Sequence, residues 1–252
     1  MQINYHTHTF RCNHAAGTEK EYIENAIQAG IQVLGFSDHV PYPRMKEAYS
    51  GFRMKPEQAE DYVNTLKQLQ EDYRDRIRIL IGYEAEYYPD LFPEMCSFLG
   101  QYEYDYLLLG QHFVGDSGES WFSGSPTADE SILQAYVDQT IAGLKTGRYL
   151  YFAHPDVINF TGDDKIYRKH IERLCREVKE MGIPLEVNLL GLGEERHYPS
   201  DRFFSVAAEV GNTVILGCDA HCPQAVGDRT VEEKAMKFIE KFSLDFISES
   251  LI

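Results

Sequence analysis

The sequence is short of basic residues, short of cysteine and free of long apolar runs, and each shortage excludes something. Lys and Arg number 24 against 40 Asp and Glu, giving a formal net charge of −16 at pH 7. Phosphate-backbone binding leans on clustered Lys and Arg, so no nucleic-acid partner is expected. The same acidic field repels an anionic substrate at long range unless something local reverses it, and bound divalent cations do that. Five cysteines (Cys12, Cys96, Cys175, Cys218 and Cys222) form an odd set with no CxxC pair. They read as free thiols in a reducing cytoplasm. No stretch approaches the roughly 18 continuous apolar residues of a membrane span, so no membrane partner is expected either. The first residues enter a polar strand without a basic leader, which makes export unexpected. No heptad or apolar stripe declares an oligomer interface, and the oligomeric state is left open.

What the chain does contain is a regular alternation. β-rich runs lie near residues 2–6, 32–37, 78–84, 105–111, 149–153, 184–188 and 213–218, most bounded by Gly or Pro. Helical patterns fall between them at 18–29, 56–76, 91–99, 129–146, 164–181, 200–210 and 231–242. Thr18 and Glu21 form a capping-box pattern at the start of the first. Strand and helix in alternation predict parallel βαβ units. With 252 residues, 43% of them hydrophobic, the length suits one large α/β domain or two small ones, and the seven βα repeats favour a single closed barrel over 1–252 rather than an open sheet. A barrel places functional side chains at the carboxyl ends of its strands.

The polar residues obey that demand. In an extended segment His6 and His8 project from one face. Alone, His-x-His reads as a half-buried strand. Further strand ends add Asp38-His39, Glu84, Gln111-His112, His154, Asn188 and Asp219-Ala220-His221, and the first loop adds His14. Of nine histidines, only His170 and His197 lie away from strand ends. So many imidazoles converging with Glu84 and Asp219 are costly to bury without a partner for their lone pairs. His, Asp and Glu without a thiolate set suit Zn²⁺, Mn²⁺ or Fe²⁺. Nine ligands exceed one tetrahedral site, so two to three divalent transition-metal ions are expected, with Glu84 able to bridge two of them. Asp38, alternating away from His39, is expected to orient a ligand imidazole.

This ordered set, from His6-Thr7-His8 through Asp219-Ala220-His221, resembles the motifs of the polymerase and histidinol phosphatase (PHP) phosphoesterases. The likeness runs from residue 6 to residue 227. Within the family, Gly82-Tyr83-Glu84-Ala85-Glu86-Tyr87 is most similar to the histidinol-phosphatase type. The resemblance implies a distorted seven-stranded TIM-like barrel and three metal sites. One would be formed by His6, His8, Glu84 and Asp219, a second by Glu84, His112 and His154, and a third by His14, His39 and His221. It implies hydrolysis of a small phosphate ester, L-histidinol phosphate, to L-histidinol and phosphate in histidine synthesis.

In that reaction water activated between two ions attacks the phosphoryl group in line. Glu84 and Asp219 shape the centre. Arg196 is expected to bind phosphate, and His197 to contact phosphate or protonate the leaving alkoxide. Arg53, in the Pro41–Pro56 loop, is a further substrate contact, and that loop is long enough to act as a lid. Gln111 and Asn188 are expected to touch substrate or brace the site. Cys12, Cys218 and Cys222 are read as bystanders. Three rival readings are another phosphomonoester or nucleotide on the same metals, an amidohydrolase, and a metal-binding module without turnover. The amidohydrolase lacks a lysine placed for carbamylation at a strand end, and the intact ligand set disfavours the inert module.

Overall fold

The computed structural model describes residues 1–43 and 51–252. Helix starts follow the local chemistry of the chain. Thr18 accepts the Glu21 N–H and Glu21 accepts the Thr18 N–H, completing the capping box that opens α1 (Glu19–Ala29). Asp129, Asp163, Ser200 and Asp228 cap α4 (Glu130–Leu144), α5 (Asp164–Glu180), α7 (Asp201–Val210) and α8 (Arg229–Phe242) in the same way. Each side-chain oxygen takes up one N–H that the first helical turn leaves without a partner. The long second helix is divided, a 3₁₀ turn at Pro56–Gln58 leading into α2 (Ala59–Tyr73), and α3 spans Phe92–Leu99.

All seven expected strands are present: β1 (Ile3–Asn4), β2 (Val33–His39), β3 (Arg78–Ala85), β4 (Tyr106–Leu109), β7 (Tyr149–Phe152), β8 (Leu185–Asn188) and β9 (Thr213–Gly217). They pair in parallel in that order. The seven-strand expectation needs one correction. An eighth parallel strand, β10 (Asp245–Phe246), pairs with the start of β9 through Asp245 opposite Thr213. The sheet curls around so that the segments following β1 and β9 meet at the carboxyl rim. There Thr7 bridges Ala220, and the His8 N–H donates to the Ala220 carbonyl at 2.9 Å. Two short additions, a hairpin of β5 (Phe113–Val114) and β6 (Trp121–Phe122) and the helix α6 (Leu189–Gly193), escape the sequence pattern.

Side-chain alternation sorts the core into two layers. Tyr5, Val33, Leu80, Tyr106, Leu108, Tyr151, Ala153 and Ile215 fill the inside of the curl. Leu34, Phe36, Ile79, Ile81, Leu107, Leu109, Phe152 and Leu216 face outward to helix residues such as Tyr22, Leu66, Val137 and Leu174. Strands buried on both faces are what a parallel sheet under helices requires. The inner apolar layer ends below the rim, and polar side chains take over above it. Among the described residues no helix is long and apolar enough to cross a membrane.

Candidate metal centre

Glu84, near the end of β3, stands in the middle of the polar rim and is buried. Its Oε1 lies 2.7 Å from His154 Nε2 and 3.4 Å from His112 Nε2. Its Oε2 lies 3.1 Å from His39 Nδ1, 3.5 Å from His8 Nε2 and 3.6 Å from His6 Nε2. Asp219 faces the same space from the end of β9, with Oδ1 3.1 Å from His8 Nε2 and 3.5 Å from His6 Nε2. His14, His39 and His221 make a third convergence, the His14 and His221 rings 4.4 Å apart. The nine residues expected at the site are thus brought together at one end of the barrel.

Glycine makes room for the central carboxylate. A Cβ on Gly110, just past β4, would lie 2.6 Å from Glu84 Cδ. Gly217 does the same for Glu186, whose Cδ would sit 2.6 Å from an added Cβ.

Five rings are held by the nitrogen that points away from the centre. His6 Nδ1 meets Glu186 Oε1 at 2.8 Å, His112 Nδ1 meets Glu86 Oε1 at 3.0 Å, and His8 Nδ1 faces Asp38 Oδ1 at 3.4 Å. His14 Nδ1 and His221 Nδ1 donate to the carbonyls of Cys12 and Asp219. Pinning one nitrogen fixes the tautomer and leaves the other lone pair for a ligand. Asp38 is itself held by the Thr9 hydroxyl and accepts the His39 N–H at 2.9 Å, the orienting part expected of it.

Three of the inward atoms lack hydrogen-bond partners. Glu84 Oε2, His39 Nδ1 and His221 Nε2 are buried with no hydrogen bond, and the His6 and His8 Nε2 atoms face each other at 3.3 Å. Facing lone pairs of this kind suit divalent cations, and the donor set fits them.

Charge at the centre is strongly coupled. Burial resists ionisation of Glu84 and Asp219, yet the surrounding histidines hold both well below the usual carboxylate range. Burial would discharge His6, but Glu186, Asp219 and Glu84 outweigh it and lift the ring well above its ordinary value. Burial and the neighbouring His8 push His221 down to about 3, which keeps it a neutral donor.

Other expectations fare differently. Arg196 and His197 line the cavity of about 620 Å³ that opens over the histidines. Arg53 does not. It is 4% exposed and locked in bidentate contact with Glu86 at 2.5 and 2.7 Å, with Glu119 beside it. Its guanidinium has no free edge for phosphate. Gln111 is buried and spans the backbone of Tyr87 and Phe113, so it braces the site rather than touching substrate. Asn188 likewise donates to Glu186 and Asp219 and caps α6. The Pro41–Pro56 segment includes residues 44–50, outside the described residues. His170 pairs with Glu130 on the outer surface, and Cys12 lies within ligand reach of His8 and His221. Glu86 and Glu186 were not singled out in the sequence. Each lies two residues from a residue that was, on the same side of its strand.

A parallel barrel with a carboxylate-centred histidine cluster at its carboxyl rim has the arrangement of a metal-dependent hydrolase. Residues 4–189 match the PHP domain. The probable histidinol-phosphatase of Deinococcus radiodurans is 30% identical over 89% of this chain and 88% of its own length. The probable histidinol-phosphatase of Schizosaccharomyces pombe is 28% identical over 90% and 83%. Among solved structures, the histidinol phosphate phosphatase of Lactococcus lactis, complexed with zinc, L-histidinol and phosphate, superposes with a TM-score of 0.73 at 21% identity. That match covers 98% of this chain and 95% of that one. The chain belongs to the PHP family.

Proposed function

We propose that this protein is a histidinol-phosphatase, hydrolysing L-histidinol phosphate to L-histidinol and phosphate. The observation that carries the reading is Glu84, whose two oxygens face different sets of histidines and so can serve two cations at once. The sites would be His6, His8 and Asp219 with Glu84, then Glu84 with His112 and His154, then His14, His39 and His221. What divalent ions supply in such a place is acidified water and compensation of phosphoryl charge.

The chain's own groups do the rest. Glu186, Asp38 and Glu86 hold the rings in register, so the site is organised before substrate arrives. Arg196 is the one guanidinium or ammonium among the described residues lining the cavity, and it can take two phosphoryl oxygens side by side. His197 donates through Nε2 to the Val157 carbonyl at 2.8 Å, and in the protonated ring the Nδ1–H is left to give its proton to the leaving alkoxide. The free thiols and the acidic surface support a cytoplasmic enzyme without nucleic-acid partners, folded as one unit over 1–252.

The test is a panel of phosphomonoesters assayed with metal-replete protein. L-histidinol phosphate should exceed nucleotides and simple esters in kcat/KM. Equal or better turnover of nucleotides would assign the site to a different ester.

A further inference from the structure

The cavity carries a feature that phosphate hydrolysis alone does not call for. Phe52 packs edge-on to His39, with 4.8 Å between centroids, and lies parallel to Phe113 at 6.0 Å and 14°. Phe113 in turn meets Phe122 at 5.3 Å, and Phe122 is 47% exposed. Three phenyl rings therefore run outward from the histidine cluster along the cavity wall. The outer two are presented by the β5–β6 hairpin.

Glu194 and Arg196 line the same cavity. Arg196 donates to Glu194 through Nε at 2.9 Å and Nη2 at 2.7 Å, and through Nη1 to the Tyr198 hydroxyl at 2.8 Å. The side chains of the pair are 41% and 55% exposed, and so open an ion pair is loosely held.

We propose that Glu194 and the Phe52–Phe113–Phe122 rings select an ester whose alcohol carries a cationic group. On binding, the Glu194–Arg196 pair exchanges partners: Arg196 passes to the phosphoryl oxygens and Glu194 to the ammonium or imidazolium of the substrate. The inference rests on the substrate reading above. It follows from charge balance. When Arg196 turns to phosphate, Glu194 loses its cation inside an already acidic protein. An ester that brings its own cation restores the pair, and phenyl faces attract the same charge. An ester without a cation makes no charged contact with Glu194, and the contact that a cationic ester gains is the discrimination.

The experiment compares wild type with Glu194→Gln, an exposed position where the substitution leaves folding intact. Inhibition constants are measured for L-histidinol and for inorganic phosphate, together with kcat/KM for L-histidinol phosphate, ethanolamine phosphate and phenyl phosphate. Glu194→Gln should raise the L-histidinol constant about tenfold or more, and the phosphate constant much less. The ratio of kcat/KM for the amine-bearing esters over phenyl phosphate should fall by a similar factor. Equal changes in both inhibition constants, or an unchanged ratio, would overturn the proposal. If wild type prefers an ester other than L-histidinol phosphate, the substrate reading falls by itself. The ratio for ethanolamine phosphate over phenyl phosphate then still decides the role of Glu194.

Discussion

Gly110 and Glu84 occupy what would otherwise be one volume: the absent side chain of the first is the space in which the carboxylate of the second stands. No side chain can be added at Gly110 without Glu84 moving. Gly110→Ala should cut turnover about 100-fold, because a displaced carboxylate misplaces the reacting groups by a fraction of an ångström or more. Glu84→Gln should do at least as much and also lower the number of ions bound. Circular dichroism should show both variants folded, and elemental analysis should show the metal deficit. Near-normal rates in Glu84→Gln would remove Glu84 from the centre.

The two arginines near the site should separate cleanly. Arg53→Ala breaks a buried pair and leaves Glu86 without its cation, so a loss of about 3–5 kcal/mol is expected in denaturant unfolding. Arg196→Ala removes a half-exposed side chain and should change stability by less than about 0.5 kcal/mol. Its mark should be kinetic, a KM raised about tenfold or more. The reverse pattern would exchange the roles given to the two residues.

Glu186 never faces the cavity, yet it binds His6 Nδ1, the His154 N–H and the Tyr151 hydroxyl. Glu186→Gln keeps its shape and removes its charge. Metal affinity should fall about 10- to 100-fold, as expected when a ligand imidazole loses its carboxylate. Titration of metal-stripped protein with zinc measures this directly, and an unchanged affinity would make Glu186 a packing residue only.

Stripped of metal, the protein should become sensitive to alkali. Burial alone would lower His6 and His8. The carboxylates around them win, and both rings titrate well above 6.5. A folded-state value raised in this way gives stability that is full below about 6.5 and drains as pH climbs through the folded values. The melting temperature of chelator-treated protein should therefore fall as pH rises above about 6.5, while metal-loaded protein holds steady because cations have displaced the protons. Parallel slopes in the two forms would mean that protons and metal do not compete for these rings.

The parts of the site that were legible in the sequence share one property: they sit where a strand stops. His39, Glu84, His154 and Asp219 could be placed without coordinates because βαβ alternation tells which end of each strand carries chemistry. Pairing partners were not legible. Arg53 looks like a free loop cation until its carboxylate, 33 residues on, is brought against it. Glu86 and Glu186 are ordinary strand-end acids in one dimension and acquire meaning only when a histidine ring turns its second nitrogen towards them. β10 and the β5–β6 hairpin are two-residue strands, too short for a period-2 pattern; β10 forms against the edge of β9, and β5 and β6 form only against each other.

The seam between Thr7 and Ala220 bears on how the molecule comes together. His6 and His8 stand on one side of it and Asp219 and His221 on the other, more than 200 residues apart along the chain, joined by a single bridge instead of a ladder. Bringing such distant segments together is the slowest kind of closure, since the loop entropy is lost before the contacts form. An ion that draws ligands from both margins acts as a clasp on the barrel. Chelation then does more than silence chemistry: it loosens the edge at which the chain's beginning and end are fastened.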